Sequence, residues 1–61
     1  MIPDRNDIRA FGKWMGLVRD PVTGNVVGRK YVFRGRAYLL YDDGRTERWS
    51  WEKAKELQVL R

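Results

Sequence analysis

The chain has no cysteine and no histidine. Without cysteine there is no disulfide framework and no thiol nucleophile. Without either residue, zinc sites lose their usual ligands, and a Ser-His-Asp arrangement loses its base. Proline occurs twice and glutamine once, as Gln58. No apolar run approaches the roughly 18 residues that suggest a membrane span. Met1 to Arg9 carries Asp4, Arg5, Asp7 and Arg9 and no apolar stretch, so no secretory signal is expected. There are no repeats, low-complexity tracts or linkers. The expectation is a small soluble basic domain, cytoplasmic, with no membrane association, metal or cofactor.

What is present is charge of one sign and aromatic rings. The 61 residues carry 13 Lys+Arg against 8 Asp+Glu, a net charge of +5, and 13% are aromatic, three of them Trp. Nine of the thirteen cations are Arg. A chain of about 60 residues buries only about 60% of its unfolded surface, so its large side chains are needed inside. A ring left outside requires a reason.

Residues 1–12 read as an N-terminal arm: charge is balanced, apolar content is low, and fraying is expected. Residues 13–61 read as one small domain. Met15–Arg19 is a candidate strand, ended by the turn chemistry of Asp20-Pro21-Val22-Thr23-Gly24. Asn25–Phe33 is a second, rich in β-branched and aromatic residues, with Gly28 suggesting a bulge. Arg34-Gly35 is a two-residue connection to a third strand, Arg36–Tyr41. Asp43-Gly44 is a type I′ hairpin dipeptide leading to a fourth, Arg45–Trp49. Ser50 is a good N-cap for a two-turn helix beginning at Trp51, with Glu52 suited to its first turn. Gln58–Leu60 extends that helix or forms a closing strand. The fold class is therefore mostly β: a small SH3-like barrel or a curled four-stranded antiparallel meander, with a short C-terminal helix.

The turns imply a register, and the register implies two faces. Tyr31 is expected opposite Tyr38, Tyr38 opposite Trp49, Val18 opposite Val27 and Trp14 opposite Tyr31. One face then holds Trp14, Val18, Val27, Tyr31, Phe33, Tyr38, Leu40 and Trp49, with Arg29, Arg36 and Glu47. The other holds Met15, Leu17, Val26, Val32, Ala37, Leu39 and Tyr41, with Lys13, Arg19, Lys30 and Arg48. Neither face is cleanly polar, as one face of an antiparallel sheet normally is. Either the arm or helix covers the second face and the aromatics are simply core, or that face is a binding platform.

Between Asn25 and Tyr41 there are four cations, Arg29, Lys30, Arg34 and Arg36, and no acid. Arg presents a planar donor fork to phosphate and stacks on bases. Arginines interleaved with aromatic rings on a sheet are what a nucleic-acid platform requires. Catalysis is not expected, because no general base titrates near neutrality. Asp42 and Asp43 fit the hairpin turn and fail the EF-hand spacing.

Tyr38-Leu39-Leu40-Tyr41-Asp42-Asp43-Gly44-Arg45-Thr46, followed by Trp51-Glu52-Lys53-Ala54-Lys55-Glu56-Leu57, resembles the last hairpin and C-terminal helix of the seven-kilodalton crenarchaeal chromatin proteins. Gly16-Leu17-Val18-Arg19-Asp20-Pro21-Val22-Thr23-Gly24 resembles a hairpin of the second small crenarchaeal chromatin family. Together these cover about half the chain. The resemblance implies an SH3-like barrel that coats duplex DNA from the minor groove with little sequence preference, wedging apolar side chains into a base step. It puts Tyr38 and Leu40 on the DNA face and Leu39 and Tyr41 in the core. The chain departs from those families in its Arg-rich composition, its tighter Asp43-Gly44 turn and its extra N-terminal arm. The Arg surplus and the absence of His and Cys fit a thermophile.

The expected function is a non-catalytic, chromatin-like duplex-DNA binder, nucleoid-associated and monomeric. Its expected contact residues are Arg29, Lys30, Tyr31, Arg34, Arg36, Tyr38, Leu40, Arg48 and Trp49. Arg29, Arg36 and Arg48 would meet phosphates, and Tyr38 and Trp49 would stack or wedge. RNA and single strands are variants of the same expectation. The alternative is a protein-interaction module, such as a virus- or plasmid-encoded adaptor, or a homodimer built on the same face.

Overall fold

A computed structural model describes residues 1–61. In chain order the elements are α1 (Arg5–Phe11), β1 (Lys13–Arg19), β2 (Val26–Phe33), β3 (Arg36–Tyr41), β4 (Thr46–Arg48), α2 (Trp51–Glu56) and β5 (Gln58–Leu60). The five strands form one antiparallel sheet in the order β4-β3-β2-β1-β5. This is a four-stranded meander, β1 to β4, closed by a fifth strand that pairs back with β1. Gln58–Leu60 is thus a closing strand: Leu17 pairs with Leu60 and Val18 with Val59.

The N-terminal segment is not a frayed arm. The Asp4 carboxylate accepts from the Asn6 N–H at 2.7 Å and caps α1. Asp7 stands in the first turn, where negative charge suits the helix dipole. Gly12 ends the helix by donating its N–H to the Ile8 carbonyl at 2.8 Å. A helix of 7 residues has no stability of its own. It is held by Ile8, which is 0% exposed and packs with Tyr31, Phe33, Tyr38 and Leu40 in the main core cluster. Arg5 fastens the other end, its guanidinium donating to the carbonyls of Tyr41 and Arg45 at 3.2 Å.

Two features set the register differently from the turn dipeptides alone. In β1, Trp14 pairs with Tyr31 and Gly16 with Lys30, so Met15 is an extra, bulged residue. Beyond it Leu17 takes the face expected for Val18, and Val18 pairs with Gly28 instead of Val27. A second shift, at Val27, follows as β2 reaches its N-terminal end. The β3–β4 loop is one residue longer than a type I′ turn. Tyr41 and Arg45 close it through the Tyr41 N–H at 2.9 Å, and the Gly44 N–H reaches the Tyr41 carbonyl at 3.2 Å. Only Gly44 in this loop has positive φ, +99°, which is the pattern of a type I turn followed by a left-handed glycine. The Asp43 carboxylate favours this form by accepting from the Arg45 N–H at 3.0 Å. The slip pairs Tyr38 with Arg48 and carries Trp49 to the opposite face, where its N–H meets the Ala37 carbonyl at 2.9 Å.

The sheet therefore has a face with Trp14, Leu17, Arg29, Tyr31, Phe33, Arg36, Tyr38, Leu40 and Arg48, whose centre lies under α1. Its other face carries Lys13, Val18, Lys30, Val32, Ala37, Leu39, Tyr41, Glu47 and Trp49. There Val18 and Leu39 are fully buried, as the sheet curls toward β5. α2 begins at Ser50, whose hydroxyl accepts from the Lys53 N–H at 3.3 Å.

Burying an apolar side chain of this size contributes about 1.5–3 kcal/mol, so α1 is part of the core. Ile8→Ala should cost about 2–5 kcal/mol. In so small a domain each kcal/mol lowers Tm by about 4–8 °C. Thermal melts read this directly, and an unchanged Tm would mean that the segment is a frayed arm after all.

Candidate functional site

The acids of the chain are mostly occupied or distant from the β2–β3 turn. Asp4 caps α1. Asp20 accepts from the Val22 N–H in the β1–β2 loop. Asp43 holds Arg45 at 2.9 Å, and Glu47 holds Lys53 at 2.7 Å. Asp42 lies 4.0 Å from Arg29. Asp7 belongs to α1, and Glu52 and Glu56 to α2.

Two of these pairs shift proton affinities. The backbone hydrogen bond from Arg45 holds the Asp43 carboxyl below its ordinary value of 3.8, with the Arg45 side chain adding to the effect. Lys53 is held above its ordinary value of 10.5, first by its hydrogen bond to Glu47 and then by donating to the Tyr41 hydroxyl at 3.1 Å. Lys53, Arg45 and, more loosely, Arg29 are thus committed to partners inside the molecule. Arg5 is committed to backbone carbonyls, and Arg19 to the Gln58 side chain at 2.8 Å.

The cations without a carboxylate partner include Lys13, Lys30, Arg34, Arg36 and Arg48. The ladder brings these five together. Arg34 is in the β2–β3 turn, and Arg36 pairs with Phe33 at its base. Lys13 lies opposite Val32, Arg48 opposite Tyr38, and Lys30 opposite Leu39. All fall within four ladder pairs of the turn, a zone of about 10 Å along the strands and about 14 Å across them. Lys30 and Trp49 are half-buried, and the other four cations are exposed. Lys30 rests its ammonium 4.6 Å from the Trp49 ring centre, and Arg34 lies 5.1 Å from that of Phe33. Such cation–π contacts keep the rings covered while leaving the charges at the surface.

Of the nine residues expected at the site, Lys30, Arg34, Arg36, Arg48 and Trp49 are drawn to this end of the sheet. Arg29 is not; it stands in the fifth ladder pair from the turn, beside Asp42. Tyr31, Tyr38 and Leu40 are near the others in space but are 8%, 4% and 3% exposed beneath α1. They have no ring face or methyl free for a base, which differs from the placement the chromatin-protein resemblance implies for Tyr38 and Leu40. Trp49 keeps its accessibility but on the opposite face from Tyr38, because of the loop slip. Lys13 was legible only as a charge; its place beside the turn comes from the β1–β2 register.

Comparison with family models, with curated proteins and with solved structures finds no match for the chain. No helix is long and apolar enough to cross a membrane.

The Lys53 pair has a pH signature. Because Lys53 binds its proton more tightly when folded, the pair's contribution is complete below pH 10.5 and disappears as pH rises through the elevated value. Melts between about pH 9 and 12 should show an alkaline loss of Tm in the wild type that is blunted in Glu47→Gln. Parallel alkaline limbs would remove Lys53 from the account.

Proposed function

We propose that the chain is a small non-catalytic module that binds duplex DNA through the basic end of its sheet. The observation that carries this is the cluster of five cations, Lys13, Lys30, Arg34, Arg36 and Arg48, gathered around one turn with no carboxylate paired to any of them. An uncompensated positive cluster is costly by self-repulsion and gains most from a polyanion. Four of the five are exposed, spread over β1, the β2–β3 turn, β3 and β4, so they suit two phosphate strands. Three are Arg, whose fork matches phosphate oxygens. The resemblance to the small crenarchaeal chromatin families favours DNA over other polyanions and argues against base-by-base readout in the major groove.

The contact differs from the aromatic platform expected at first. Phosphate neutralisation carries it, and Trp49, under Lys30, reports on it. Arg29, Tyr31, Tyr38 and Leu40 are left out. Tyr31, Phe33 and Tyr38 are core beneath α1, whereas Phe11, Trp14 and Trp51 stay exposed, so a protein partner or a second copy is the alternative reading.

Titration of duplex DNA followed by Trp fluorescence should give affinity that falls steeply with salt. The slope is about −0.9 per phosphate neutralised, up to about −4.5 for five. Affinity unchanged between about 50 and 200 mM salt would overturn the proposal. The Arg36→Ala/Arg48→Ala double variant should flatten the slope by about 2 while leaving the fold intact. A variant that binds as well as the wild type would shift the function to a protein partner, and sedimentation would then show whether that partner is a second copy. RNA and single-stranded DNA competitors distinguish the form of nucleic acid.

A further inference from the structure

Arg34 occupies an unusual backbone position. It and Gly35 form the two-residue β2–β3 turn with φ of +53° and +77°. This is a type I′ geometry, in which both central residues are left-handed and Asn-Gly, Asp-Gly or Gly-Gly is strongly preferred. Arg34 is the only residue other than glycine with positive φ in the protein. Asn or Asp at such a place offsets its strain with local hydrogen bonds. The Arg34 guanidinium makes none to the backbone and has no carboxylate partner; it lies over the Phe33 ring. Strain held without a local return is a mark of a functional residue.

The surroundings narrow that function. One flat side of the β2–β3 ribbon is covered by α1, and the other is partly filled by Trp49 and Lys30. A ribbon of this kind has no open side to lay along a major groove, which reads β-ribbons face-on. What projects freely is the tip, and at its apex stands a single exposed guanidinium. Arg36 stands on one side of it, and Lys13 and Lys30 on the other, placed for the two strands that wall a groove. The minor groove, about 6 Å wide, excludes a two-stranded ribbon but admits one guanidinium. Its potential is most negative where A-tracts narrow it. Resting on the proposed duplex-DNA function, we infer that Arg34 is the groove-reading residue, inserted at the minor groove and giving the protein a preference for narrow, A/T-rich duplex.

The test compares an A-tract duplex with a G/C duplex of equal length, at one salt concentration, and pairs each affinity with a melting curve of the free protein. Arg34→Asn should raise Tm by about 4 °C or more, because Asn suits the turn. It should also lose roughly five- to a hundredfold in A-tract affinity and bind the two duplexes alike. Arg34→Lys retains the charge and should keep G/C affinity while losing most of the A-tract preference. Arg36→Ala, a phosphate contact, should weaken both duplexes by the same factor. If Arg34 only packs on Phe33, Arg34→Asn will lower Tm instead, and the inference falls. It falls too if the wild type binds both duplexes equally, or if Arg34→Asn keeps the preference; in those cases the duplex-DNA function stands without it. If the wild type binds neither duplex, the proposed function fails as well.

Discussion

One side chain decides how this sheet is used. Ile8, completely enclosed, presses a seven-residue helix onto Tyr31, Phe33, Tyr38 and Leu40. A domain this small has little apolar surface to spare, and four of its larger core side chains meet under that helix. Once α1 is in place, the rings beneath it belong to stability, and whatever the protein binds must be met elsewhere. The charges follow the same logic. They line the turn and strand ends that neither helix covers, and the acids that could neutralise them are engaged in caps, loops and ion pairs.

Much of this was legible in the sequence. The strand spans, the Arg34-Gly35 turn, the Ser50 cap and the Trp14–Tyr31 and Tyr31–Tyr38 pairs follow from turn residues and β-branched runs, and the structure has them. α1 was missed because its apolar content is thin. Asp4 as a cap with Asp7 in the first turn is nevertheless a helix-start signature, though of the apolar residues in the helix only Ile8 is buried. Asp4, one of the balanced charges of the expected arm, is the cap of α1.

The register errors have a different origin. Asp43-Gly44 is the dipeptide of a type I′ turn, but the same residues also serve a type I turn with a left-handed glycine. The choice was made by contacts no local pattern contains. Asp43 reaches the Arg45 N–H, and Arg5, forty residues away in the chain, grips the carbonyls of Tyr41 and Arg45. One residue of slip was enough to part Trp49 from Tyr38. The Met15 bulge acted likewise on Leu17 and Val18. The cation cluster survived these errors because charge in a turn and its flanks is insensitive to which face each strand presents. The aromatic platform did not survive, since it required every strand to be in register.

The pairing of β5 with β1 bears on how the chain reaches this state. The three hairpins from β1 to β4 join neighbours in sequence and can form early and locally. Leu17 waits for Leu60 and Val18 for Val59, so the second face stays open until nearly all of the chain has been synthesised. Closing that long loop costs entropy before any burial repays it. Until then Val18 and Leu39 remain wet, and β1 is a bare edge. Lys13 and Arg19 on that edge repel other chains during the interval, as charged side chains do on exposed strand edges. Charge that serves the finished surface thereby also protects the unfinished one from aggregation.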